Sequence, residues 1–324
     1  MQLLGCDVAA LNTVQFSNHT GYKQWTGSKV SAEEISSLYQ GLKQSYLDDF
    51  DMMLSGYVPG AAALEAVGKI AAELKERAET RPGSFFWVLD PVMGDNGNLY
   101  VTRDVVPVYK GLVGGADLIL PNQFEAELLS EVKIVDMKSL GHAIEVLHER
   151  YGVPHIVITS VSLSHPDHPD DSLSVVGSSM TSDRKSRAFK IVFPAINCYF
   201  SGTGDMFAAL MVVRMREAVC GTPGLLERDS WLSDNEVDAL ELPLAKAAEK
   251  VLASMHEVLA KTAEGIEGTM KKAREGVARN GEGGGVVDEE KKGHLLKSKA
   301  AELKLVRHVD SLRSPKVEFR AVKM

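Results

Sequence analysis

Ser201-Gly-Thr-Gly-Asp-Met-Phe-Ala-Ala209 places two glycines directly before an acid and a run of helix-forming apolar residues. The glycines let the backbone turn tightly, and the helix predicted from Gly204 to Met215 begins at once. Free N–H groups at such a helix start make an anion site. Asp205 falls in the first turn, where the helix dipole favours its ionised form. It could accept a proton from an attacking hydroxyl while the N–H groups of the helix start hold a transferring phosphoryl group. Taken alone, the stretch reads equally as a capped helix start. What lies upstream tips the balance.

Upstream, strand-like and helix-like segments alternate. Strands are predicted at Val8–Phe16, Asp51–Ser55, Phe85–Leu89, Ala116–Leu120 and His155–Thr159, and around Ser174–Val176 and Phe189–Phe193. Ser31-Ala-Glu-Glu34 is a capping box followed by Ile35, Leu38, Leu42 and Tyr46 at helical spacing. Leu64, Val67, Ile70, Ala71 and Leu74 make one apolar helix face, Asn122 and Glu125 cap another helix, and Ile144–Tyr151 and most of Leu242–Ala260 are helical. Buried apolar strands alternating with helices predict an α/β fold, a mostly parallel sheet between helical layers, in one domain over 1–324. Gly281-Glu-Gly-Gly-Gly285 and the charges after it predict a disordered insert at 280–293.

The 324 residues are 44% apolar and 25% charged, with a net charge of −8. An acidic chain is a poor partner for a nucleic-acid backbone. Residues 266–324 do carry 14 Lys/Arg against 9 Asp/Glu, which reads as a solvated surface helix. Cys6, Cys198 and Cys220 are odd in number and far apart, so a reduced compartment is expected, and the cytoplasm is the expected location, with the nucleus also open to it. No apolar run approaches the ~20 residues of a membrane span, and the start has no signal-peptide pattern.

In open α/β sheets, ligands bind beyond the carboxyl ends of the strands. There the sequence places Asp90-Pro-Val-Met-Gly-Asp95, Asn122 and Glu125, Thr159-Ser160 and the Gly202–Asp205 turn. Acids, hydroxyls and a Gly-rich turn suit phosphate and a divalent metal, and all-oxygen donors favour Mg²⁺. Three other patterns are set aside. Gly21-Tyr-Lys-Gln-Trp-Thr-Gly27-Ser-Lys29 has the wrong spacing and order for a phosphate loop. No GxGxxG follows a strand, so a nicotinamide fold lacks its fingerprint. His165, Asp167, His168, Asp170 and Asp171 lie in a Pro-interrupted polar loop, read as solvated rather than metal-binding.

At these residues the chain resembles the pyridoxal kinases of the ribokinase superfamily. The resemblance is carried by Val14-Gln-Phe-Ser-Asn-His-Thr-Gly-Tyr22, Ser55-Gly-Tyr57, Asp90–Asp95, Pro121-Asn-Gln-Phe-Glu-Ala-Glu-Leu-Leu129, Ile158-Thr-Ser160 and Ser201–Ala209. It runs from Leu3 to about Lys261, resumes at Glu302-Leu-Lys-Leu-Val306 and ends in an expected last strand, Val317–Ala321. The resemblance implies a ribokinase-like three-layer α/β/α sandwich. It implies ATP-dependent phosphorylation of the 5′-hydroxymethyl group of pyridoxal, with pyridoxine and pyridoxamine as co-substrates, in a homodimer. It makes Asp205 the base and Gly202, Thr203 and Gly204 the anion hole. Thr20 and Tyr57 would meet the vitamin. Asn122, Thr159 and Ser160 would line the nucleotide, and Ile196, Asn197 and Cys198 would touch its adenosine. Asp90, Asp95 and Glu125 would organise Mg²⁺ and a monovalent cation, K⁺ or Na⁺, around the ATP phosphates. Residues from Asp95 to Tyr100 would form a flap.

The chain departs from the family pattern in three places. Leu120 stands where a Thr is usual, and the flap at Asn96-Gly-Asn98 is short. A strand–turn–helix unit of about thirty residues, carrying a Ser that meets pyridoxal, does not precede Met1. From this the sequence predicts a gap inside the sheet, a loosely folded chain and low activity for residues 1–324 on their own. Two other functions stay open: a related hydroxymethylpyrimidine or sugar kinase, and a nucleotide-binding relative without turnover.

Overall fold

The computed structural model describes residues 1–163, 169, 171–279 and 289–324. Among the described residues the strands are β1 (Val14–Phe16), β2 (Gly27–Lys29), β3 (Met52–Ser55), β4 (Phe86–Leu89), β5 (Gly94–Asp95), β6 (Asn98–Leu99), β7 (Leu118–Ile119), β8 (His155–Val161), β9 (Ser172–Met180), β10 (Ser186–Pro194) and β11 (Val322–Lys323). The α-helices are α1 (Ala32–Gln44), α2 (Ala61–Ala78), α3 (Val105–Leu112), α4 (Gln123–Ser130), α5 (Met137–Tyr151), α6 (Thr203–Cys220), α7 (Pro243–Glu264), α8 (Ile266–Arg279), α9 (Glu289–Ala300) and α10 (Val309–Arg313).

Seven strands form the central sheet in the order β11-β10-β9-β8-β7-β4-β3. The four strands β3, β4, β7 and β8 run parallel to one another. β9, β10 and β11 extend the sheet by antiparallel pairings. Successive strand residues point to opposite faces, and the core divides accordingly. Trp87, Leu89, Ile156 and Ile158 pack on one face with Ile35 of α1, Leu64 of α2, Leu129 of α4 and Ile144 of α5. Phe86, Val88, Val157 and Phe189 pack on the other with Met211 of α6, Val251 of α7 and Leu312 of α10. This is the three-layer α/β/α sandwich. Its parallel strands all end at one edge, where backbone and side chains are left to meet a ligand.

Several expectations are adjusted at element ends. Of Val8–Phe16 only Val14–Phe16 is a strand, and it pairs with Gly27–Lys29 outside the central sheet. Gly27-Ser-Lys29 is therefore strand and not phosphate loop. Ser31 accepts a hydrogen bond from the Glu34 N–H, as its cap pattern implied, but α1 buries Ile35 and Tyr39 and leaves Leu38 and Tyr46 exposed. The last strand sits at Val322–Lys323, beyond Val317–Ala321. No gap interrupts the central sheet: β3 stands at its edge, so its open side faces outward and not into the core. The insert expected at 280–293 lies outside the described residues up to 288, and residues 289–293 belong to α9. The polar loop His165–Asp171 lies mostly outside the described residues as well.

Two buried histidines pin the sheet to its surroundings. His148 of α5 reaches the Val153 carbonyl and the Ser178 hydroxyl, both at 2.8 Å. His155 of β8 reaches the Ser179 hydroxyl at 2.7 Å and the Ser230 carbonyl at 2.8 Å. Burial disfavours the imidazolium and pushes both rings down from 6.5 to about 4. An unfolded chain binds these two protons near pH 6.5, whereas the folded one does not until about pH 4. Their contribution to stability is thus present above pH 6.5 and lost as pH falls through that window. NMR titration of the two imidazoles should show both rings neutral at pH 5; midpoints near 6.5 would place them outside the buried network.

Candidate active site

Four segments converge at the carboxyl edge of the parallel strands. β4 delivers Asp90, whose N–H donates to the Ser55 carbonyl at 2.9 Å. The turn after β7 delivers Asn122 and Glu125 as a complete capping box. Asn122 Oδ1 accepts the Glu125 N–H at 2.9 Å, and Glu125 Oε2 accepts the Asn122 N–H at 2.9 Å. Glu125 Oε1 also accepts the N–H groups of Met93 at 2.8 Å and Gly94 at 3.3 Å. Asn122 Nδ2 closes the ring by donating to the Gly94 carbonyl at 2.7 Å. The capping box thereby sutures the segment after β4 to the start of α4.

β8 brings Thr159 alongside Asn122 as the third segment, and the fourth is the turn before α6. Gly202 is the N-cap, with φ 80°, a left-handed conformation that glycine adopts without strain. α6 starts at Thr203, and its first intrahelical bond runs from the Met206 N–H to the Gly202 carbonyl at 3.0 Å. Asp205 lies in this first turn, exposed at the open edge.

The acids form one electrostatic unit. Asp90 is 8% exposed, and its carboxyl is held well above the usual carboxylate range, first by burial and then by the negative charges of Glu125 and Asp205. Glu125 is pushed from 4.5 up to about 7 by burial, although the N–H groups of Asn122, Met93 and Gly94 pull it back down. Among the described residues no hydrogen bond reaches the Asp90 carboxylate. A buried carboxyl beside two further carboxyls, without donors of its own, is suited to receive a cation.

The other two expected metal residues behave differently. Both Glu125 oxygens are already taken by backbone N–H groups. Asp95 turns toward its own hairpin, where it accepts the Asn96 N–H at 2.8 Å and the Asn96 amide at 3.0 Å. The short flap has a simple cause: Asn96 and Gly97 both have positive φ, 49° and 77°, and form a two-residue turn between β5 and β6. No group of three or more His, Cys, Asp or Glu side chains among the described residues is close enough to enclose a metal. Asp90 offers the open oxygen donors, and Asp95 and Glu125 supply charge around it. Mg²⁺ usually keeps several waters and takes phosphate oxygens, so an open site of this kind fits it.

The remaining residues fall around this edge. Asn122 bridges Thr159 in parallel fashion, and the Thr159 N–H donates to the Pro121 carbonyl at 2.9 Å. Ser160 has φ 54°, unusual for a side-chain-bearing residue, at the irregularity in β8 between Ile158 and Val161. Ile196, Asn197 and Cys198 follow β10 in a bend closed by the Cys198 N–H, which donates to the Ile196 carbonyl at 2.7 Å. Ile196 and Cys198 are partly covered, whereas Asn197 at the apex is exposed. No hydrogen bond among the described residues ties the Asn197 side chain to the acids or to the Gly202 turn, so this expected nucleotide residue stands apart from the ring built by Glu125. Tyr57 follows β3; its carbonyl accepts the Thr13 hydroxyl at 2.7 Å, and burial raises its phenol. Thr20 opens the 3-10 turn Thr20–Tyr22. A Cβ on Gly21 would lie 3.2 Å from the Ser201 hydroxyl, so this turn sits against the Gly202 turn.

Sequence reasoning passes over Tyr109, buried on α3, whose phenol is raised by burial and by the charges of Asp90 and Glu125. No local pattern marks it, because only the fold brings α3 under the acids. It also gives no role to Tyr22 and Glu302, although both stand in family-like strings. The Tyr22 O–H donates to Glu302 Oε1 at 2.8 Å.

Known proteins agree with this geometry. The phosphomethylpyrimidine kinase family model matches residues 51–219. Pyridoxal kinase of Homo sapiens is 35% identical over 289 residues, covering 86% of this chain and 82% of its own. That of Arabidopsis thaliana is 30% identical over 323 residues, 99% of this chain and 86% of its own. The solved structure of pyridoxal kinase from Leishmania donovani with ADP and pyridoxamine superposes with a TM-score of 0.76 at 27% identity, over 100% of this chain and 91% of that one. Fold and site together define a small-molecule kinase. The chain belongs to the pyridoxal kinase family.

The charge crowding at Asp90 has a measurable cost. A carboxyl raised by burial destabilises the fold as pH rises above its ordinary value of 3.8, and this contribution is recovered only below it. Asp90→Asn is therefore expected to raise the melting temperature of the ligand-free chain at pH 7, with a smaller gain at pH 4.5, in a calorimetric comparison with wild type. A lower melting temperature at pH 7 would mean that the Asp90 charge is already compensated.

Proposed function

We propose that this chain transfers the γ-phosphoryl group of ATP to the 5′-hydroxymethyl oxygen of pyridoxal, giving pyridoxal 5′-phosphate and ADP, with pyridoxine and pyridoxamine as further acceptors. The observation that carries the reading is the Gly202 turn, which sets the first N–H groups of α6 and the Asp205 carboxylate side by side at the open sheet edge. Asp205 accepts the proton as the hydroxymethyl oxygen attacks phosphorus and the bond to the departing ADP oxygen breaks. The N–H groups of the Gly202–Gly204 turn hold the oxygens of the moving group. Thr20 and Tyr57 belong to the vitamin side, and the packing of Gly21 against Ser201 supports this placement. Asn122, Thr159 and Ser160 belong to the nucleotide side. So do Ile196, Asn197 and Cys198, and the exposure of Asn197 leaves its amide open to a ligand.

Asp90 would hold a divalent cation, Mg²⁺, with Glu125 and Asp95 contributing charge from behind. Such an ion, when bound, neutralises the phosphate oxygens. A monovalent cation, K⁺ or Na⁺, is part of the same proposal; the surplus of carboxylate at this edge supports it. A sugar or hydroxymethylpyrimidine as acceptor is the competing reading within the kinase class.

Asp205→Asn keeps the shape of the helix start and removes the proton acceptor. Turnover of pyridoxal should fall ~10²- to 10⁴-fold. Affinity for ATP, measured by calorimetry, should stay within about threefold of wild type. Wild-type turnover in this variant would remove Asp205 from the role of base, and phosphorylation of a sugar but not of pyridoxal by the unaltered chain would decide for the competing acceptor.

A further inference from the structure

The loop that carries Thr20 has weak local support. β1 and β2 are three residues each and form a sheet of their own. A two-stranded hairpin is marginal in water by itself. The connection between the strands, residues 17–26, is also long for a hairpin. Within it Asn18 Nδ2 donates to the Gln24 carbonyl at 2.8 Å, and the Thr26 N–H donates to Ser17 Oγ at 3.1 Å. These bonds hold the base of the loop, whereas its tip, Thr20–Tyr22, has locally only its own turn bonds, from the Tyr22 N–H to the His19 carbonyl at 3.3 Å and from the Lys23 N–H to the Thr20 carbonyl at 2.9 Å.

The tip is held from the far end of the chain. The Tyr22 O–H donates to Glu302 Oε1 at 2.8 Å, and His19 Nε2 lies 3.4 Å from the same oxygen. The His19 and Tyr22 rings pack at 4.6 Å between centroids. On the other side of the tip, His294 Nε2 meets the Gly21 carbonyl at 2.9 Å. Burial and the Glu302 carboxylate push the Tyr22 phenol up to about 12, so it stays a donor at physiological pH. The residue after Glu302 touches the opposite wall: Leu303 Cδ1 lies 4.0 Å from where a Cβ on Gly202 would stand. Glu302-Leu303 thus touches both the Thr20 tip and the phosphoryl-binding turn at the place where the two meet.

We infer that Glu302 is a positioning residue for the acceptor side of the site: through Tyr22 and His19 it fixes the Thr20 tip at the distance from the Gly202 turn that the acceptor's ring requires. The inference rests on the reading that Thr20 faces the acceptor. It makes the C-terminal segment part of acceptor recognition while leaving the nucleotide side alone. Glu302 touches no reacting atom, so its loss should appear in acceptor affinity first.

The test uses the full chain with Glu302→Ala, Glu302→Gln and Tyr22→Phe. Hydrogen exchange by mass spectrometry over residues 18–23, without ligand, should speed up about five- to tenfold in Glu302→Ala and Tyr22→Phe, in line with the loss of one charge-assisted bond at a partly exposed place. Pyridoxal should bind about five- to tenfold more weakly in both variants, with ADP affinity unchanged. Glu302→Gln retains an oxygen for the Tyr22 O–H and should restore most of both losses. Combining Glu302→Ala with Tyr22→Phe should add little to either change, because the two residues share one bond. Unchanged exchange over 18–23 in Glu302→Ala and Tyr22→Phe overturns the inference, as does an equal loss of ADP and pyridoxal affinity. If the unaltered chain binds ADP but no pyridoxal, the functional reading fails, and the exchange data still decide whether Glu302 holds the tip.

Discussion

The Glu125 carboxylate accepts three backbone N–H groups, from Met93, Gly94 and Asn122, and the arrangement of the site follows from that. These donors come from two segments that diverge after adjacent parallel strands. Without a shared acceptor, each would carry buried unpaired N–H groups. With it, the segment that leads into the β5–β6 flap is tied to the start of α4, and Asp90 lies close enough to feel the Glu125 charge. The carboxylate does this while burial works against its ionisation. The suture is therefore strongest when charge nearby is compensated, as a cation bound at Asp90 would do.

Part of the cost carried by the fold falls where the chemistry is. The buried apolar strand residues divide between the two faces of the sheet, and the buried histidines are satisfied on both ring nitrogens. Buried carboxyls without full compensation collect at the carboxyl edge, beside a left-handed Ser160 and a left-handed Gly202. Such features cost stability and persist where they serve binding.

Much of this was legible in the sequence because the signals were local. Strand–helix alternation, the Asn122–Glu125 cap and the Gly-Thr-Gly-Asp turn each depend on residues within a few positions of one another. The family-like strings then gave the acids and glycines their expected roles. Legibility failed where an outcome depended on the third dimension. Leu38 and Tyr46 fit a helical period with Ile35, yet the buried residues of α1 are Ile35 and Tyr39. Asp95 reads as a metal ligand until the turn geometry of Asn96-Gly97 draws its carboxylate aside. Tyr109 reaches the acids through packing alone. The gap expected within the sheet was an argument about the interior, whereas β3 lies at an edge.

The contact between Tyr22 and Glu302 joins residues 280 positions apart. During synthesis the chain emerges N-terminus first, at roughly 5–20 residues per second. The vitamin-side loop therefore leaves the ribosome well before the residue that holds its tip. The Gly202 turn and its acid also emerge ahead of that anchor. A nascent chain would pass through an interval in which the phosphoryl-handling half of the site exists and the acceptor half is still loose. Emergence of Glu302, and not the pairing of the four parallel strands that precede it, would then be the event that brings the two halves into register.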